Sequence, residues 1–67
     1  MTIIREVKDW KFFKDDTMGV TAFSNESIGF QSDWNTGSDA EEEIESVSNM
    51  TDIEFMIYGA NLIQLPF

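Results

Sequence analysis

Acid–base or metal chemistry in this chain would have to come from its carboxylates. Histidine and cysteine are both absent from the 67 residues, which removes the usual nucleophile and base pairs and the commonest transition-metal ligands. Thirteen Asp and Glu residues remain, densest at Glu41, Glu42, Glu43 and Glu45. Neighbours on a helix point in different directions, so such a run does not converge on one metal ion. No EF-hand loop is present, and the glycines are too scattered to cradle a phosphate. The expectation is a protein that is not an enzyme and holds no metal and no cofactor.

What these acids can do together is present a field. The formal net charge is −9, and all four basic residues, Arg5, Lys8, Lys11 and Lys14, lie in the first fourteen positions at a spacing of three. From Asp15 to Phe67 there are eleven acids and no base. Such a surface repels the phosphate backbone that supplies most nucleic-acid affinity, which argues against direct binding of nucleic acid. It presents instead what a duplex presents. Residues four apart on a helix lie about 6 Å apart along its axis, and a charged surface of one sign is steered rapidly to a cleft of the other. The partner implied is a DNA-binding protein or enzyme with a basic cleft, with Asp33, Glu41, Glu42 and Glu45 standing in for phosphates.

The element that must position most of these acids is a helix expected over 38–50. Ser38 followed by Glu41 has the spacing of a capping box, and Ala40, Ile44 and Val47 recur at the spacing of one apolar stripe. Before it, residues 2–14 are ambiguous: Ile3, Val7 and Trp10 fit a helical face with Arg5, Lys8, Lys11 and Lys14 interleaved, whereas Ile4, Trp10 and Phe12 suit one or two strands, and strand is favoured because of the turn that follows. The turn cluster Asp15-Asp16-Thr17-Met18-Gly19 then joins 10–14 and 20–24 into a hairpin. A third strand is expected over 27–34, with Ile28 and Phe30 on one face and Gly29 marking a bulge or close approach. After the helix, Ile53-Glu54-Phe55-Met56-Ile57-Tyr58 is nearly continuous in apolar residues and reads as the central strand. Gly59-Ala60-Asn61 follows as a turn, and 61–67 as a last strand, made an edge by Pro66. The fold class expected is α+β: one domain over 1–67, an antiparallel sheet of four or five strands with one acidic helix packed on it.

Glu26-Ser27-Ile28, at the start of the third expected strand, resembles the Glu-Ser-Ile strand of phage uracil-DNA glycosylase inhibitors of the Ugi type. The resemblance implies that Glu26 and Ser27, followed by Ile28, meet the DNA-binding surface of the glycosylase, and that an apolar pocket receives a leucine of the enzyme. Here Met50, Phe55 and Met56 are the candidates for such a pocket, since methionine adapts to inserted apolar groups; ordinary core is their other reading. Gln64-Leu65-Pro66-Phe67 is similar to two bacterial interaction signals, the Pro-Phe tip of single-stranded-DNA-binding proteins and the Gln-Leu start of sliding-clamp-binding peptides, and is read first as a strand.

The function expected is thus a small acidic DNA mimic of the bacteriophage type, which blocks a host enzyme by occlusion, with uracil-DNA glycosylase the named target. Two alternatives stand beside it. One is an adaptor or anti-CRISPR-type inhibitor that binds a nuclease or replication protein through apolar contacts. The other is an acidic structural domain whose charge serves solubility. The first ten residues hold four charges and no long apolar run, so no signal or membrane span is expected, and the cytoplasm of a host cell is the expected location. A homodimer, in which the basic ladder meets the acidic face of a second copy, would add burial to a domain of this size.

Overall fold

In the computed structural model of the chain, residues 1–32 and 35–62 are described. They form a five-stranded antiparallel sheet with two helices on one face, so the α+β class holds. Strands β1 (Thr2–Val7), β2 (Trp10–Asp15) and β3 (Val20–Asn25) form a meander. The second of its turns is the expected one, tied by the Asp15 carboxylate accepting from the Thr17 and Met18 amides and entered by β3 after Gly19 at φ +68°. Short strands β4 (Phe30–Gln31) and β5 (Asn35–Thr36) pair with the two ends of β3.

Register decides which side chains meet the helices. Phe12 pairs with Phe23, and Trp10 with Asn25, on the helix-facing side; Phe13 pairs with Ala22 and Lys11 with Ser24 on the other. In β1, Ile3 pairs with Phe13 and Arg5 with Phe12, leaving Ile4 between them as a bulge. Unbroken alternation would put Ile3 and Arg5 on one face; the extra residue turns Arg5 alone toward the helices.

Helix α1 (Gly37–Ser48) agrees with expectation in position but not in its start. Gly37 has φ +58°, Thr36 is the cap residue and makes no side-chain cap bond, and Ser38 lies inside the first turn. The Ser38–Glu41 capping box is therefore not formed. Helix α2 (Asp52–Asn61) replaces the strand expected over 53–58 and the turn at 59–61, and it carries the capping box. Thr51 Oγ1 accepts from the Glu54 amide at 3.2 Å, and Glu54 Oε1 accepts from the Thr51 amide at 2.9 Å. Those bonds hold the Glu54 carboxyl below its ordinary 4.5.

The strand expected over 27–34 is cut short as well. Glu26–Ile28 is one turn of 3-10 helix, closed by Gly29 in the left-handed region, and pairing resumes only at β4. The roles expected of Asp33 and Trp34, and the strand and binding signals expected at 63–67, lie outside the described residues.

Phe12, Phe23, Val47 and Phe55 make the fully buried centre. Phe23 is its hub, with ring centroids 4.9 Å from Phe12, 5.0 Å from Phe55 and 5.3 Å from Tyr58. Phe13, Val20 and Ala22, on the far side of the sheet by register, are buried too.

Candidate partner-binding surface

Helix α1 sorts its acids by rotation. Ala40, Glu43 and Val47 lie at i, i+3 and i+7 and are buried, whereas Asp39, Glu41, Glu42 and Glu45 are exposed. None of these four exposed acids belongs to an ion pair among the described residues, where the pairs are Met1 amine with Asp16, Arg5 with Asp52 and Lys11 with Glu26. Their field is uncompensated locally. Because α1 carries no base in its last turn, nothing on the helix itself neutralises the negative end of its dipole.

That task falls to Arg5. Its Nη1 donates to the Val47 and Met50 carbonyls at 2.6 and 2.7 Å, its Nη2 to Asp52 Oδ1 at 2.9 Å, and the guanidinium sits 5.0 Å from the centre of the Phe55 ring. One cation thus closes the end of α1 and fixes the start of α2. The expected basic ladder does not exist as a face: a spacing of three makes a stripe only on a helix, and Lys11 points to the far side of the sheet while Lys8 occupies the β1–β2 turn at φ 54°.

Glu43, in the middle of the dense run of acids on α1, is the one that the fold turns inward. It is 8% exposed, with Oε1 accepting from Thr21 Oγ1 at 2.6 Å and Asn35 Nδ2 at 3.0 Å, and Oε2 from Tyr58 O–H at 2.6 Å. The donors come from β3, β5 and α2. Burial, then the bond to Glu43 and its negative charge, push the Tyr58 hydroxyl up to about 12.

Glu26, Ser27 and Ile28 are exposed. Asn25 Oδ1 accepts from the Ser27 amide at 3.1 Å, and the Glu26 carboxylate lies 3.8 Å from Lys11 Nζ. With Lys11, Phe13, Phe30 and Gln31, Glu26 borders a cleft of about 400 Å³. Lys11 and Phe13 belong to the sheet side opposite the helices, so the acids of α1 and the Glu-Ser-Ile turn form two separate groups. The expected apolar pocket is not assembled from its three candidates: Phe55 is fully buried core and Met50 packs against that core, while Met56 is half-buried on α2. Ile53 and Ile57, one turn apart on α2, are instead 66% and 54% exposed.

Among the described residues no three or more Asp or Glu converge as metal ligands, and no helix is long and apolar enough to cross a membrane. No protein-family model, curated protein or solved structure gives a significant match to this chain.

Proposed function

We propose that this chain is a non-catalytic acidic inhibitor that occupies the nucleic-acid cleft of a DNA-binding enzyme, with uracil-DNA glycosylase as the first target to assay. The observation that carries the reading is the set Asp39, Glu41, Glu42 and Glu45 on α1, exposed and without an ion-pair partner among the described residues. Its mechanism is occlusion: the acids meet the partner's phosphate-binding cations, and Glu26 and Ser27 add the polar contacts that the resemblance to Ugi-type inhibitors implies.

The test is uracil excision from a labelled oligonucleotide by a purified bacterial glycosylase, titrated with the protein. Stoichiometric inhibition that weakens with salt is expected. Glu26→Ala should weaken binding by about 1–3 kcal/mol, and Glu41, Glu42 and Glu45 changed together to Gln should reduce the association rate. Inhibition unaffected by either change would sink the assignment of these residues; no inhibition at excess protein would remove the named target.

Ile53 and Ile57 favour a second reading, an adaptor that docks through an apolar stripe on α2. In a pull-down from a bacterial lysate, Ile53→Asp would then abolish capture while the triple Gln variant would not.

A further inference from the structure

A cavity of about 360 Å³ opens between β4, β5 and the end of α2, lined by Phe30, Ser32, Asn35, Glu43, Asn61 and Leu62 among others. A carboxylate offers about four acceptor positions. Among the described residues three of these are taken on Glu43, by Thr21, Asn35 and Tyr58, all through neutral donors. No cation joins it in an ion pair among the described residues, although Lys14 pairs in register with Thr21 on the same face of the sheet. The Glu43 carboxylate is therefore held largely out of water at the wall of an open cavity, with one acceptor position and its charge still unmatched among the described residues.

A cation entering that cavity would meet a field less screened than the one at the exposed acids of α1. The rest of the lining suits a planar cation better than an ammonium. Ser32, Asn35 and Asn61 surround it with hydroxyl and amide groups, and Phe30 and Leu62 supply apolar wall. A guanidinium is weakly hydrated, stacks on flat apolar surface and donates in several directions within one plane, whereas an ammonium is a strongly hydrated point charge. We propose that this cavity seats one arginine side chain of the protein partner, its guanidinium donating to the free acceptor position of Glu43 and held in plane beside Asn61. This rests on the reading of the chain as the ligand of a basic protein, and it names the side chain that a diffuse acidic face would leave unspecified.

The experiment is a ¹⁵N NMR titration of the whole protein with N-acetyl-arginine amide, and separately with N-acetyl-citrulline amide, its uncharged isostere. Saturable shifts at the Asn35 and Asn61 side-chain amides are expected with the arginine probe, and binding at least about tenfold weaker with the citrulline probe, the factor that one charged hydrogen bond supplies. Asn61→Leu, which leaves the Glu43 hydrogen bonds intact, should abolish the arginine response. Equal response to both probes, no saturable shift at those amides, or an unchanged response in Asn61→Leu would each overturn the proposal. No glycosylase enters this measurement. Arginine binding without enzyme inhibition would remove the target alone; salt-sensitive inhibition without arginine binding would remove the cavity alone.

Discussion

Glu43 shows how one rotation step on a helix separates two physical roles. Its neighbours Glu41, Glu42 and Glu45 keep their hydration, while Glu43 exchanges water for the Thr21, Asn35 and Tyr58 donors. Removing its carboxylate would leave the fully buried Thr21 hydroxyl without its acceptor, at a cost of about 1–3 kcal/mol, while the exposed Asn35 amide and the half-buried Tyr58 hydroxyl can turn to water. The linkage is readable from the other side of the bond, because Tyr58 is the chain's single tyrosine. Its folded pKa, about 12, lies above the ordinary 10.0, so the folded state keeps a proton that the unfolded state releases. That contribution to stability is fully present below pH 10 and is lost as pH rises through about 12. Tyrosinate absorbance should therefore titrate near the higher value in native protein and return to the ordinary value in urea. Coincident midpoints would show that the Glu43–Tyr58 bond does not form in solution.

At the scale of elements, two contacts set how the helices lie on the sheet. Arg5 bonds the Val47 and Met50 carbonyls of the interhelical corner and the Asp52 carboxylate at once. An ammonium cannot span that fork, so Arg5→Lys should lower stability by about 1–3 kcal/mol in urea unfolding at unchanged m-value. The Lys11–Glu26 pair, at 3.8 Å with its carboxylate exposed, should contribute no more than about 1 kcal/mol by the same measurement. The second contact is a close approach: a Cβ on Gly59 would lie 2.6 Å from a ring carbon of Trp10. Alanine is favoured over glycine in a helix by about 1 kcal/mol, yet here the overlap should win, making Gly59→Ala destabilising by about 1–3 kcal/mol. In a Trp10→Leu background the same change should become neutral or stabilising. A Gly59→Ala penalty of equal size in both backgrounds would rule out the ring as its cause.

For the whole molecule, the net charge of −9 acts on folding and on association with opposite signs. Self-repulsion disfavours the compact state, and salt relieves it by shortening the Debye length from about 30 Å at 0.01 M to about 3 Å at 1 M. Attraction to a basic partner is screened by the same ions. Raising salt should increase the melting temperature, by about 4–8 °C for each kcal/mol gained in a domain of this size, while the affinity for the partner falls. A melting temperature that falls over this range would mean that the uncompensated acids are not a burden on the fold.

Features that depend on near neighbours and on composition are legible in the chain before it folds. Absence of histidine and cysteine, segregation of charge, the 10–14 and 20–24 hairpin, and the burial of Ala40 and Val47 on a helix are local patterns, and all are present in the fold. The 53–58 run, read as the central strand, is helix instead, because a short apolar run has no period that separates strand from buried helix. The deciding signal was nonetheless written just before it, in the capping-box spacing of Thr51 and Glu54, the same pattern that Ser38 and Glu41 share without using. The roles of Glu43 and Arg5, by contrast, arise from contacts between distant segments. Glu43's donors stand 22, 8 and 15 residues away, and Arg5's acceptors 42 to 47 residues away. A single bulge at Ile4 turns Arg5 toward them. Side-chain chemistry fixes what such groups can bond, but which groups meet is set by strand register and helix placement, and these depend on the packing of the whole chain.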